Sequence, residues 1–407
     1  MQDLSWCNPQ TLQNTSWTAV RAKISLLVCS ALEKVLASLD GSVLDRDECV
    51  TLAHASGDDL FGLAVAANEI RRQLVGDTIS YVITRNINFT NICFVGCKFC
   101  AFSVAPRDET TYFLTPEEVG EKSRVAETWG ATEVCIQGGL PRQLPPFYYR
   151  DVLRAVKSAT PKMHAHAFSP MEMVYGVELT GMPIREYLLM LKANGLDTLP
   201  GTAAEILDDS IRMVLSRNKL TAAQWCEIIE TAHECGIRST STMMYGHRET
   251  PDHWVNQMLL LRSIQSRTGG FTEFVPLGFI HDNTLLFEQG LARPGGTLEE
   301  HIKVHALARV LLAGSINHIQ VSWVKLGRDV SQLCMLAGAD DYGGTLFEEN
   351  ISRLAGATAG QYVSADEFRE RIRELGRIPA QRNTTYAHYF DHPTNAVVEP
   401  VAAGGVA

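Results

Sequence analysis

Cys93-Phe94-Val95-Gly96-Cys97-Lys98-Phe99-Cys100 places three thiols within eight residues, at CxxxCxxC spacing. The stretch follows Arg85-Asn-Ile-Asn-Phe-Thr-Asn91, whose alternation of apolar and polar residues predicts a strand. The cysteines are therefore expected in a loop just past a strand's C-terminal end. Thiolates bind soft metals and hold iron–sulfur clusters. A cubane cluster has four irons, so three cysteines leave one iron without a protein ligand. That open position can take a substrate, as at catalytic metal centres. A structural zinc site would need a fourth ligand, and no CxxC or HxxxH pair stands nearby. Buried structural cysteines would have no reason to cluster in a glycine-containing loop.

Outward from this loop, strands and helices alternate from about Ser80. Strands are expected at 85–91, 132–136, 162–168, 196–199, 237–244, 272–276, 318–324 and 339–341. Helices are expected between them, among them one opening at Thr115-Pro116, one over 203–215 and one capped at Thr221. Eight strands over about 270 residues match a (β/α)8 TIM-type barrel. The absence of GxGxxG argues against a dinucleotide-binding open sheet. The expected organisation is an N-terminal helical extension (1–78), a barrel core (79–346), a C-terminal helical segment completing it (347–390) and a flexible tail (391–407). Already from Gln381 the chain reads as tail.

The 407 residues are 45% hydrophobic and 20% charged, with a net charge of −10. That is a globular composition. No basic block is present, which disfavours a nucleic-acid partner. The apolar run Ile24–Leu39 is interrupted by Glu33 and Lys34, too short and too charged for a membrane span. Met1–Cys7 lacks the basic start of a signal peptide. Ten cysteines in such a chain suggest free thiols and a reducing, cytoplasmic setting.

Several motifs fall at the expected strand ends, where a barrel carries its site. Gln137-Gly138-Gly139 would let backbone approach a ligand closely, although alone it would be an ordinary turn. His164 and His166 share one strand face, and Ser169 and Glu172 follow at the rim, which points to substrate binding; zinc on the two histidines is the alternative, with no third ligand in view. Glu205 is expected in the first turn of a helix, where it would either compensate the helix dipole or bind a ribose hydroxyl. Glu273, Gln320 and Ser322 are polar residues on later strands and weaker pocket candidates. Tyr112 reads as a packing aromatic.

The cysteine spacing resembles the signature of the radical S-adenosylmethionine (SAM) superfamily, with Phe99 at its aromatic position. The resemblance implies a 4Fe–4S cluster on Cys93, Cys97 and Cys100, with SAM chelating the open iron and cleaved to a 5′-deoxyadenosyl radical. It implies that Gly138 and Gly139 receive SAM's amino group. Gly246 and Glu249 match a GxIxGxxE motif near adenine, whereas Thr242 and Met244 depart from its first Gly and Ile.

More closely, Asn86–Asn91, Met163–Glu172, Glu178–Gly181, Pro200–Asp209, Gly270–Gly278, Ser322–Gly327 and Gly343–Thr345 resemble the CofH family. That resemblance implies cleavage of the L-tyrosine Cα–Cβ bond and transfer of the 4-hydroxybenzyl group to 5-amino-6-(D-ribitylamino)uracil, in coenzyme F-420 biosynthesis. Tyrosine and the ribityl uracil would be substrates, a CofG-type protein the functional partner, and a reducing electron donor is needed. His164, His166, Ser169, Glu172 and Glu273 are assigned to the substrate. Aminofutalosine synthase and cyclic dehypoxanthinylfutalosine synthase, menaquinone enzymes with a nearly identical cysteine loop, are the alternative. An iron–sulfur electron-transfer module is the non-enzymatic one.

Replacing Cys93, Cys97 or Cys100 by Ala is expected to abolish iron and sulfide retention. Alanine at Cys7, Cys29, Cys49, Cys135, Cys226, Cys235 or Cys334 should leave both intact, measured by metal and acid-labile sulfide analysis.

Overall fold

The computed structural model describes residues 5–390 and 397–398. Its centre is a parallel barrel whose first strand is one extended run broken at Ile83, Thr78–Val82 (β1) and Thr84–Ile87 (β2). Next come β3 (Glu133–Ile136), β4 (His164–Ala167), β5 (Thr198–Leu199), β6 (Arg238–Tyr245) and β7 (Phe271–Gly278), paired with β2 in chain order. Two parallel bridges, Phe274 to Ile319 and Gln320 to Asp341, carry the ladder on to β8 (Asp341–Gly344). β8 pairs with β1 and closes the ring. The expected barrel is therefore present, with its seventh strand reduced to two bridges. The expected strand over 318–324 stops early because helix Trp323–Leu336 has already begun.

Helix starts follow the sequence signals closely. Thr115, Ser169, Thr221 and Thr297 each complete a capping box with the residue three positions on. On β4, Ala165 and Ala167 are buried and alternate with His164 and His166, which turn to Thr198 on the neighbouring strand. Outside the barrel, the N-terminal helix Asp58–Val75 packs against both Leu26–Ser38 and Leu298–Leu311.

Two expectations need correction. The helix expected over 203–215 spans only Asp209–Leu215, capped by Asp208. The carbonyls that would start it earlier are already taken. Arg212 donates to those of Ala203, Ala204 and Ile206, and Glu205's accepts from Met244 N–H. Glu205 and Ala203 consequently adopt left-handed backbone, at φ 40° and 61°.

The second correction concerns the chain from Gln381, expected to be tail. Ile378–Arg382 (β9) pairs in parallel with β1, and Tyr389–Phe390 (β10) pairs with β9. Arg382 enters the barrel's base with a bidentate contact to Asp341 (2.6 and 3.0 Å) and a bond to Glu273 (3.2 Å). Tyr386 O–H donates to Glu273, and its ring stacks on His318 with centroids 3.7 Å apart. Thr384 donates to Glu133 (2.6 Å). These buried carboxylates recruit the segment, and no local periodicity announces it. Of the tail expected over 391–407, all but 397–398 lies outside the described residues.

Removing one partner from a buried ion pair leaves the other charged and unsolvated, at about 3–5 kcal/mol. Arg382→Ala should destabilise by roughly that amount, read as a lowered denaturation midpoint. Asp366→Ala, which removes the exposed carboxylate of the Asp366–Arg369 pair and leaves Arg369 bonded to the Tyr81 hydroxyl, should cost under about 1 kcal/mol.

Candidate active site

A cavity of about 260 Å³ opens at the C-terminal end of the barrel. Cys93, Cys97, Phe99 and Cys100 form one wall, Gln137, Gly138 and Gly139 a second, and Ser169 and Glu172 a third. Thr202, Glu205, Lys219, Thr242, Met244, the 277–280 stretch and a second lysine, Lys325, are among the rest of its lining. Ile351 and Ala355 reach over from the C-terminal segment.

The cysteine loop has irregular backbone and is held by its neighbours. β2 ends at Ile87, short of the expected Asn91, because Asn88, Thr90 and Asn91 turn their side chains to loop carbonyls. Asn88 donates to Gln137, Thr90 to Tyr112 and Asn91 to Thr110. Gly139 N–H donates to the Thr90 carbonyl (2.8 Å), and Phe94 N–H to that of Leu140 (3.0 Å). A Cβ on Gly139 would stand 2.2 Å from the Ile92 carbonyl oxygen, so only glycine permits this approach.

Glu172 organises the facing turn. Its carboxylate accepts from Ser169 N–H (2.6 Å), Ser169 O–H (2.7 Å) and Gly138 N–H (3.1 Å). Burial pushes its pKa up to about 7 against those hydrogen bonds. Glu205 bonds Lys219 Nζ at 2.6 Å, with Arg212 at 3.6 Å. The Lys219 ammonium lies 5.0 Å from the centre of the Phe99 ring. Burial pulls the Lys219 pKa down, but the Glu205 carboxylate and the Cys97 sulfur outweigh this and hold it above its ordinary value. Burial raises the pKa of all three loop thiols, and Lys219 opposes it at each.

Other expected site residues lie outside the cavity lining. Glu249 is buried and accepts from Gly246 N–H (2.6 Å), His247 N–H (2.9 Å) and Trp254 Nε1–H (3.1 Å). It shapes the turn after β6, while the two departing positions, Thr242 and Met244, face the cavity. Gly246 has φ 95° and packs on the Gly295–Gly296 backbone. His164 and His166 sit deeper on β4 and share the Thr198 hydroxyl, at 2.8 and 2.7 Å. Burial lowers their pKa values to about 4 and about 3, keeping both neutral. Glu273 is deeper still, its carboxylate engaged by Arg382 and Tyr386.

Nothing in the sequence alone singles out Lys219, Arg212 or Ser216. They precede the Thr221 cap in a stretch without ligand spacing, and only burial distinguishes them from surface residues.

Residues 87–261 match the radical SAM superfamily, and residues 268–396 the CofH/MqnC C-terminal region. The 5-amino-6-(D-ribitylamino)uracil–L-tyrosine 4-hydroxyphenyl transferase of Methanococcus aeolicus is 47% identical over 346 residues, 84% of this chain and 95% of that one. The chain belongs to the CofH family of radical SAM proteins. FO synthase of Mycobacterium leprae is 50% identical over 380 residues, 91% of this chain but 44% of that protein. The chain thus spans less than half the length of that relative. The FeFe-hydrogenase maturase HydG from Carboxydothermus hydrogenoformans shares the fold, with a TM-score of 0.66 at 13% identity, covering 93% of this chain and 85% of that one.

Members of the superfamily bind a 4Fe–4S cluster and SAM. The donor set fits that pair: three free thiols at one cavity mouth, facing a glycine turn and a buried cation. Among the described residues, no three His, Cys, Asp or Glu side chains close on a single ion. A zinc ion needs its ligands about 2.0–2.3 Å away, whereas a cluster gives each thiolate its own iron.

Gly139→Ala should push the 92–93 backbone outward and lower iron retention at least several-fold while leaving the circular dichroism spectrum unchanged. Full iron content in that variant would contradict the role given to this contact.

Proposed function

We propose that the chain transfers the 4-hydroxybenzyl group of L-tyrosine to 5-amino-6-(D-ribitylamino)uracil. The observation that carries this reading is the 47% identity spanning 95% of the Methanococcus aeolicus transferase. Bound at Cys93, Cys97 and Cys100, the cluster and SAM supply a 5′-deoxyadenosyl radical. Gly138, Gly139, Phe99 and Glu205 line the SAM side of the cavity, where Lys325 and the Glu205-paired Lys219 are cations that can face a carboxylate. Gly246 and Glu249 act at one remove by setting the turn beside it. Ser169 and neutral His164 and His166 are assigned to the substrates; a neutral imidazole can both donate and accept toward a phenol, a uracil edge or a ribityl hydroxyl.

The fragment formed from tyrosine is reactive, so its acceptor must be in place before cleavage, inside a site that excludes water. The filled base of the barrel supports this, because it leaves the 260 Å³ mouth as the entrance in this reading. The extra length of the FO synthases supports a CofG-type functional partner. A low-potential electron donor completes the requirements. No helix among the described residues is long and apolar enough to cross a membrane, and a cytoplasmic location is proposed with it. The unit boundaries in this reading are 1–78 for the helical extension, 79–346 for the barrel and 347–390 for the C-terminal helical segment completing it.

The test uses reduced, reconstituted protein with SAM, tyrosine and the ribityl uracil, following the adduct by mass and 5′-deoxyadenosine by chromatography. Futalosine-pathway substrates serve as controls. Their turnover, without adduct from tyrosine, would move the chain to the menaquinone branch. His166→Ala should reduce adduct at least tenfold more than it reduces 5′-deoxyadenosine. Glu172→Ala, which frees the Gly138 turn, should reduce both together.

A further inference from the structure

The three loop sulfurs differ in what faces them. Cys93 receives backbone N–H groups of Val95 and Leu140, and Cys100 those of Phe102 and Ser103. Cys97 meets a side chain, with its Sγ 3.3 Å from Ser216 Oγ. Once the sulfur is a metal-bound thiolate it carries no hydrogen, so only the hydroxyl can donate.

The hydroxyl is held in place from both directions along its chain. Ser216 is 6% exposed, and its N–H donates to the Arg212 carbonyl (2.8 Å) at the helix end. The Leu215 carbonyl accepts from Lys98 N–H (2.9 Å), beside Cys97. Asn218 Nδ2–H donates to the Val95 carbonyl (3.2 Å). Arg212 is itself fixed by Ala203, Ala204 and Leu220 carbonyls. The 215–218 turn is thus fastened to the cysteine loop, with its one hydroxyl aimed at the middle ligand.

We propose that Ser216 donates a hydrogen bond to the Cys97 sulfur of the cluster-loaded protein and thereby raises the cluster's reduction potential. One electron from an external low-potential donor adds negative charge that is shared by the sulfurs. A donor at a sulfur stabilises the reduced form more than the oxidised form. Ser216 is then a positioning residue for electron entry. The inference rests on the cluster assignment and is independent of the tyrosine and uracil assignment.

The experiment compares wild type with Ser216→Ala, Ser216→Thr, Ser216→Val and Asn218→Ala, each reconstituted. Iron and sulfide are counted, and the midpoint potential is read by EPR-monitored dithionite titration without SAM. Ser216→Ala should keep the wild-type iron content and shift the midpoint to more negative potential. Ser216→Thr should stay nearer to wild type. Asn218→Ala loosens the turn but removes no sulfur bond and should shift the midpoint less than Ser216→Ala does. If alanine weakens cluster retention, Thr against Val repeats the comparison at nearly constant shape, the hydroxyl being the difference. An unmoved midpoint in loaded Ser216→Ala, equal midpoints in the Thr and Val variants, or an equal shift in Asn218→Ala would overturn the proposal. A wild-type chain that takes up no iron would refute the cluster assignment itself.

Discussion

Backbone hydrogen bonds that converge on the cysteine loop from separate elements are what the upper end of the barrel depends on. The turn after β3 supplies Gly139 N–H and the Leu140 carbonyl. The 215–218 turn supplies the Leu215 carbonyl and the Asn218 amide. Leu286 N–H, beyond β7, donates to the Lys98 carbonyl (2.9 Å). An irregular loop of this length would otherwise lose about 1–2 kcal/mol of backbone entropy per residue on being ordered by its ligand. Ordering it during folding places the three thiols before any ligand arrives.

The same economy appears in the carboxylates that follow successive strands. Glu172 after β4 and Glu249 after β6 turn back onto N–H groups of the loops carrying them or facing them. Glu205 after β5 turns to Lys219 and Arg212. Three largely buried acids thereby hold the turns that frame the cavity. Burial and charge decide their protonation differently. Glu172 is pushed up by desolvation, whereas at Glu249 desolvation is outweighed by His247, the turn N–H groups and Arg293.

At the other end of the barrel the constraint is charge inside a ring of strands. Asp341, Glu273 and Glu133 project into the base, and buried acids need partners. Arg382 at the end of β9, with Thr384 and Tyr386 in the turn that follows it, provide them from more than thirty residues beyond β8. That closure explains why Glu273, a polar residue on a barrel strand and a reasonable substrate contact by pattern, is engaged in the protein's own architecture.

Local chemistry made much of this legible in the residues alone. Period-two alternation, Thr caps and glycines after strands specified the barrel and the helix starts at Thr115 and Thr221. CxxxCxxC and Gly138-Gly139 specified the side of the barrel that carries the site, since each acts within a few residues of chain. Tertiary structure decided what depended on distant partners. The 203–208 stretch lost its helix because Arg212 and Met244 claimed its carbonyls, and Gln381–Phe390 lost its tail character because acids from β3, β7 and β8 required cations and hydroxyls. Lys219 and Ser216 became neighbours of the cluster loop through burial. A residue's sequence sets which bonds it can make, but whether a lysine or serine makes them at a surface or against a buried thiol is settled only when remote segments exclude water around it.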